Sequence, residues 1–162
     1  MSQSLEQSYL EEDEQRDKYL TFALGNEIYG IEIRNVHEII GVQTITEVPE
    51  LPNFLKGIIN LRGKIIPVMD VRLRFKKEFR AYNDRTCIIV ISIENTAIGL
   101  IVDRVIEVLS IPDSQIDPPP NYTMSSNRYI QGIGKVDDEV RLLLDCNKLL
   151  NEQEAEQINQ IN

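Results

Sequence analysis

The residues best suited to chemistry lie in one short polar run, Asn60-Leu61-Arg62-Gly63-Lys64, between the apolar pairs Ile58-Ile59 and Ile65-Ile66. Gly63 is typical of a place where the backbone turns tightly. A turn does not need a guanidinium, so Arg62 requires another explanation. Its planar fork suits a carboxylate or backbone carbonyls, either on a partner helix or on this chain, where Glu38 is a candidate. The chemistry that this run indicates is recognition.

Catalytic and metal-binding patterns are not recognisable in the sequence. His37 is the single histidine and has no nearby cysteine or paired acid, so we interpret it as a surface residue. Asp137-Asp138-Glu139 is typical of a solvated hairpin tip, because three consecutive side chains cannot all point inward. No Gly-rich phosphate loop, serine elbow or Cys–His arrangement is present. We therefore expect no enzymatic activity, no cofactor and no metal, with Cys87 and Cys146 as reduced core residues.

Charge is concentrated at the two ends of the 162-residue chain. Of a formal net charge of −9, residues 1–18 carry six acids and two bases, and residues 152–162 carry three acids and no base. The middle is nearly neutral, so binding to nucleic acid or to an acidic membrane is not favoured. We predict a flexible acidic arm over 1–18 and a polar C-terminal tail over 151–162, with a helix at about 147–157. Without a secretion signal or an apolar run long enough to span a membrane, the sequence favours a cytoplasmic location.

Period-2 alternation predicts that most of the chain is β-strand. Residues 20–24 and 28–31 form a hairpin around Gly25-Asn26, and residues 54–75 form a central hairpin that displays Arg62 at its turn. We expect the second strand of that hairpin to continue to Lys76, with Arg72 and Arg74 on a basic face that is either exposed to solvent or a docking site for an acidic protein surface. A short helix or irregular crossover is predicted over 32–39, and a strand over 42–48.

An internal repeat organises these strands. When the chain is shifted along itself, Leu20–Leu24 overlays Ile89–Ile93, and a slightly larger shift places Gly57 on Gly132 and Asp70 on Asp145. We infer two similar small barrels, at about 19–80 and 86–150, joined by a charged linker. Units of this size bury too little surface alone, so they are expected to pack together around a shared core.

Several motifs together resemble the CheW family of chemotaxis coupling proteins. The resemblance covers about Tyr19 to Leu150, and it is carried by the following segments: Leu24-Gly25-Asn26-Glu27, Tyr29-Gly30-Ile31, Gly57 through Asp70 with its NLRG and I-P-V-x-D core, Ile98 through Asp103, and Gly132-Ile133-Gly134. It implies a mainly β domain of two SH3-like five-stranded barrels around a shared core. It also implies a non-enzymatic scaffold that couples chemoreceptors to the histidine kinase CheA.

The resemblance also implies two sets of contact residues. The cytoplasmic tip of the receptor is expected at Val36, Glu38, Gly57, Asn60, Arg62 and Ile65. The regulatory domain of the kinase is expected at Gly41, Val42, Ile45 and Tyr122, the last in a Pro-rich loop. The protein is expected to be monomeric alone and to be recruited to membrane-associated receptor arrays without inserting into the membrane. A small β-barrel that binds nucleic acid, or another interaction module, stays open as an alternative.

Overall fold

The computed structural model describes residues 16–119 and 128–161, and strands dominate both ranges. The predicted mainly β class is confirmed. The strands are β1 (Lys18–Leu24), β2 (Glu27–Glu32), β3 (Val36–Gly41), β4 (Leu55–Leu61), β5 (Lys64–Asp70), β6 (Cys87–Ile93), β7 (Thr96–Val102), β8 (Arg104–Ser110), β9 (Ile116–Asp117), β10 (Ile130–Val136) and β11 (Glu139–Leu144). The helices are the single-turn α1 (Val71–Arg74) and α2 (Glu152–Ile161), with 3-10 turns at Ile33–Asn35, Asp113–Gln115 and Cys146–Lys148.

The strands form two sheets. Sheet A has the order β8-β1-β2-β11-β10-β9, and sheet B has the order β3-β6-β7-β5-β4. Neighbouring strands are antiparallel except β2 with β11 and β5 with β7, which are parallel. Over the described ranges the hydrogen-bonded ladders remain open sheets and do not close into the expected barrels.

The two repeats are visible in the strand boundaries. The starts of β1 and β6 are separated by the same interval as Leu20 and Ile89, and the starts of β4 and β10 by the same interval as Gly57 and Gly132. Each sheet, however, combines the first hairpin of one repeat with later strands of the other, since β1 and β2 pair with β8 and β11. The sheets therefore cross the boundary between the predicted units 19–80 and 86–150. Because the two repeats are similar, equivalent strands of either repeat are suitable pairing partners. The alternation of apolar and polar residues therefore does not predict which hairpin joins which sheet.

One hydrophobic core lies between the sheets, as the sequence predicts. It contains Phe22 and Ile31 from sheet A and Ile89 and Leu100 from sheet B, each almost fully buried. A second cluster that includes Ile59, Val68, Ile88 and Ile101 covers the other face of sheet B. The central strands of sheet B are thus covered on both faces, which explains their nearly continuous apolar sequence.

Three local predictions are wrong. Residues 32–39 contain only a 3-10 turn before strand β3 starts, and residues 42–48 form a loop with a single bridge from Thr46 to Ile58. The strand predicted to reach Lys76 ends at Asp70. The carboxylate of Asp70 accepts a hydrogen bond from the amide of Leu73 and caps α1, which places Arg74 in the interior instead of on a solvent face.

The C-terminal helix packs against the domain. Asn151 and Glu154 cap the start of α2 reciprocally, each side chain accepting from the other's amide at 2.8 Å. Ile158 is buried in the shared core, and Glu154 forms a two-pronged ion pair with Arg74 at 2.9 and 3.1 Å. The C-terminal segment predicted to be a polar tail is therefore docked, through Ile158, the ion pair of Glu154 and a hydrogen bond from Thr96 to Asn159.

Candidate partner-binding surface

The turn between β4 and β5 consists of Arg62 and Gly63, because Leu61 and Lys64 are paired across the hairpin. Both turn residues have positive φ, 52° and 85°, as a two-residue hairpin turn that follows the strand twist requires. The side chain of Asn60 accepts a hydrogen bond from the amide of Gly63 at 2.8 Å. Asn60 therefore fixes the turn, and the turn holds the Arg62 side chain 70% exposed.

Arg62 forms an ion pair with Glu38 on β3, the internal partner considered from the sequence. The Glu38 side chain is 31% exposed, so both charges remain in contact with water. Such pairs contribute between about 0 and 1 kcal/mol to stability. The pair therefore orients the guanidinium more than it stabilises the fold.

The same ion pair connects the two edge regions of sheet B. β3 and β4 are the outermost strands of the sheet, yet the turn that follows β4 reaches β3. A second connection is the bridge between Thr46 and Ile58, in which each amide donates to the other's carbonyl at 2.9 Å. Sheet B is thus strongly curled, and its two edges approach each other beside Arg62.

Gly57 makes this close approach possible. Its φ is 143°, and a Cβ at this position would lie 2.1 Å from the carbonyl oxygen of Thr46. Gly57 is buried, so its established role is to let the loop after β3 pack on β4. Its predicted contact with a receptor remains a prediction.

Apolar side chains lie on the strands that carry the ion pair. Ile65, in the strand after the turn, is 40% exposed, whereas Val36 is partly buried against the shared core. Ile39 follows Glu38 and is 43% exposed. Ile39 was not predicted as a contact residue, because residues 32–39 were interpreted as a helix or crossover and β3 is visible only in the structure. Because Ile39 and Glu38 are consecutive in β3, their side chains point to opposite faces of the strand. We name Glu38, Arg62 and Ile65 the Arg62 surface.

The residues predicted to contact the kinase lie next to this surface along the chain. Gly41 ends β3 opposite Cys87, and Val42 is 37% exposed in the loop that follows. Ile45 packs partly against the second hydrophobic cluster. Tyr122 lies outside the described residues.

The described residues contain no cluster suited to metal binding. No group of three or more His, Cys, Asp or Glu side chains in 16–119 and 128–161 is placed to hold a metal ion. The ring of His37 shares a hydrogen bond of 2.7 Å with the Ser92 hydroxyl. Both cysteines are free thiols, and burial raises the pKa of Cys146 to about 12. No helix in the described ranges is long and apolar enough to cross a membrane.

Comparison with known proteins gives a consistent result. The model of the CheW-like domain matches residues 18–154. The chemotaxis protein CheW of Klebsiella aerogenes is 36% identical over 145 residues, which cover 89% of this chain and 87% of the relative. CheW of Helicobacter pylori is 33% identical, over 86% of this chain and 85% of its own.

A solved structure agrees with the sequence comparisons. The scaffolding protein TtCheW from Thermoanaerobacter tengcongensis is 40% identical and superposes with a TM-score of 0.80, covering 85% of this chain and 94% of that one. The chain belongs to the CheW-like family of chemotaxis scaffold proteins.

Proposed function

We propose that this protein is a non-enzymatic adaptor that couples the cytoplasmic tip of chemoreceptors to the regulatory domain of the histidine kinase CheA. It acts in the cytoplasm, is monomeric alone, and joins receptor arrays at the membrane without inserting into it. Membership of a family of chemotaxis scaffold proteins supports the general role. The receptor side of the proposal is carried by one observation, the exposed Arg62 guanidinium at a rigid turn.

The Arg62 surface has the chemistry of a contact for a partner helix. A guanidinium held by an ion pair donates to carboxylates or to helix carbonyls with little loss of side-chain freedom, because its orientation is already restricted. Ile65 supplies exposed apolar area in the strand that follows the turn. Receptor binding is therefore assigned to Glu38, Arg62 and Ile65, with Val36, Gly57 and Asn60 supporting them from partly or fully structural positions.

The kinase contact is assigned to the residues at the end of β3 and in the loop that follows, together with Tyr122. Val42 is exposed at the end of β3, next to Gly41, and Ile45 follows in the same loop. Tyr122 completes the proposed contact from outside the described residues. A separate kinase face is needed because an adaptor has to bind both partners at once.

A three-component pull-down tests the proposal. Immobilised protein should retain a purified receptor cytoplasmic fragment and a purified CheA regulatory domain together. Arg62→Ala should reduce receptor capture and leave capture of the regulatory domain unchanged. Lys135→Ala is the matched control, since Lys135 is also an exposed cation, 64% accessible, paired with an acid, Asp117. Failure of the wild-type protein to retain either partner would reject the adaptor role.

Nucleic-acid binding is the competing function, and charge argues against it. The acidic total of −9 and the nearly neutral middle of the chain provide no extended basic surface for phosphate backbones. Filter binding with single- and double-stranded DNA should show no retention at physiological salt. Retention that falls steeply as salt increases would favour this alternative.

A further inference from the structure

A polar cavity lies where four segments of the fold meet. The turn between β1 and β2, helix α1, the linker at residues 80–86 and the junction of β7 with β8 enclose a volume of about 180 Å³. Its lining includes four arginines, Arg72, Arg80, Arg85 and Arg104, and only two acids, Asp70 and Asp103. An arginine-rich cavity is unexpected in a protein with a net charge of −9.

The carboxylate of Asp103 accepts hydrogen bonds from several neighbouring donors. Asp103 accepts two bonds from Arg72, at 2.5 and 2.6 Å, one from Arg80 at 2.9 Å and one from the amide of Gly25 at 2.8 Å. Burial by itself would raise the pKa of Asp103, but the bonds from Arg72 and the Gly25 amide outweigh it and leave the pKa lowered. Asp103 therefore remains ionised, and its charge is already paired with Arg72 and Arg80.

The carboxylate of Asp70 also accepts hydrogen bonds from neighbouring groups. Asp70 accepts the hydroxyl of Tyr82 at 2.7 Å and the amide of Leu73 at 3.3 Å. Burial of Tyr82 and its bond to Asp70 raise the pKa of the phenol, which keeps this donor protonated. In formal charge, Arg72 and Arg80 balance Asp70 and Asp103.

Arg85 and Arg104 are left as surplus positive charge on the cavity. Within residues 16–119 and 128–161, neither guanidinium has a carboxylate within 4.0 Å, although other surface arginines such as Arg34 and Arg62 do. Both side chains belong to exposed residues at the rim. Two guanidinium groups at one small concave site are the usual arrangement for an oxyanion, because each supplies parallel N–H donors.

The size of the cavity restricts the ligand. Pockets for drug-sized molecules measure about 300–1,000 Å³, and this one is smaller. We propose that the cavity binds a phosphate group, either the free ion or the phosphoryl end of a small metabolite, with Arg85 and Arg104 as the donors. The site is independent of the proposed receptor and kinase contacts. It joins the β1–β2 turn of sheet A to α1 and the linker of sheet B, so a ligand there bridges the two sheets.

Titration of the full-length protein tests this proposal. Backbone amide shifts are followed by NMR while inorganic phosphate or glycerol 2-phosphate is added at constant ionic strength, with chloride as the reference anion. The two phosphates distinguish the free ion from an esterified one. The amides of Gly25, Asn83 and Asp103 are expected to shift saturably with phosphate but not with chloride.

Two variants remove the surplus charge without disturbing the Asp103 cluster. Arg85→Gln and Arg104→Gln should each weaken binding about tenfold or more, as expected for loss of a hydrogen bond to a charged group. Lys18→Gln changes the net charge equally at an exposed position outside the cavity, and should change the affinity less than about twofold. Saturable phosphate shifts that persist unchanged in the double variant would overturn the proposal. Shifts that chloride reproduces would also overturn it, since they would show that the site does not distinguish phosphate from a simple anion.

Discussion

Arg62 can form an internal ion pair with Glu38 and can also contact a partner protein. Because its side chain is exposed, we expect the ion pair to contribute less to stability than the partner contact contributes to binding. Its ion pair with Glu38 is open to water on both sides, so its removal should cost little stability. The same guanidinium can donate to a partner in a contact that excludes water, where hydrogen bonds to charged groups are stronger. The sequence alone identified both roles and could not rank them, since the exposure of Glu38 depends on the curvature of sheet B.

Arg62→Ala is the first prediction. The free energy of unfolding should fall by no more than about 1 kcal/mol, as for other exposed pairs, while binding to a receptor fragment weakens by about 1.5–3 kcal/mol. Arg62→Lys should recover only part of the binding, because an ammonium lacks the two-pronged geometry. Thermal melting and calorimetric titration measure the two quantities.

A double-mutant cycle with Glu38→Ala separates the two roles of Arg62. A structural strut would give a clear drop in melting temperature for both single variants and a strongly non-additive double variant. If Arg62→Ala melts early while the folded fraction binds receptor normally, the receptor role of Arg62 is wrong.

The second prediction concerns Gly57. Gly57→Ala should lower the free energy of unfolding by at least about 2 kcal/mol, because φ is positive and the new Cβ meets the Thr46 carbonyl at 2.1 Å. Gly41→Ala is the control, since a Cβ there has no neighbour within 4 Å, and should stay within about 0.5 kcal/mol. Chemical denaturation of both variants provides the comparison. Equal stability would show that the loop after β3 is not packed on β4 as described.

Among the secondary-structure elements, α2 packs against the domain more closely than its sequence predicts. Its sequence, EQEAEQINQI, is predominantly polar. Ile158 is the buried apolar residue of α2, and the polar contacts of the helix with the domain include the Arg74–Glu154 pair and a hydrogen bond from Thr96 to Asn159. Arg74 is also held between the rings of Phe54 and Tyr129, at 4.2 and 5.1 Å from their centroids. The sequence of α2 has only three apolar residues, Ala155, Ile158 and Ile161, and does not reveal that Arg74 is the partner of Glu154.

Ile158→Ala is therefore the third prediction. It should destabilise the protein by about 2–5 kcal/mol, the usual cost of truncating a buried isoleucine. Glu156→Ala, at an exposed position of the same helix, should cost less than about 0.5 kcal/mol. Hydrogen exchange measured at α2 distinguishes undocking of the helix from global unfolding. An Ile158→Ala variant with wild-type stability would show that α2 does not contribute to the core.

The positions of strands could be predicted where an apolar pattern repeats along the chain. They could not be predicted where a single tertiary contact determines the end of a strand or its pairing. The internal repeat located β1, β6, β4 and β10 correctly, because equivalent apolar positions recur in both halves of the chain. The end of β5 was missed. Alternation continues through Arg72 and Arg74 in the sequence, whereas the cap by Asp70 starts a helix. The pairing of β3 with β6 could not be predicted either, because only the tertiary fold brings these two strands together.

On the scale of the whole molecule, the exchange of hairpins between repeats makes the two sheets mutually dependent. Without the second repeat, β1 loses β8, β2 loses β11, β3 loses β6 and β5 loses β7. The ladders that remain in the first repeat are the hairpins β1–β2 and β4–β5. An isolated hairpin is marginally stable at best. The second repeat alone keeps the hairpin β6–β7 and the three-stranded ladder β11-β10-β9. The shared core takes its residues from both repeats, so neither half retains a complete core.

The fourth prediction follows from this dependence. Separate fragments 1–85 and 86–162 should both be unfolded by circular dichroism, and an equimolar mixture should regain β structure and melt as one unit. In the intact chain, Ile91→Asp in the shared core and Ile101→Asp in the second cluster should each unfold both sheets together. An unpaired buried carboxylate costs several kcal/mol, comparable to the stability of roughly 5–15 kcal/mol of a domain.

A chain cut within residues 76–85 after folding is the matched control for the fragment experiment. Its two pieces are already paired, so it should keep the native spectrum until it is melted, and should refold only when both pieces are present. Because melting of the intact chain involves both sheets, calorimetry should show one transition. A cooperative melt of either fragment alone, or two transitions in the intact chain, would show that each repeat folds independently, and the hairpin exchange would then not control stability.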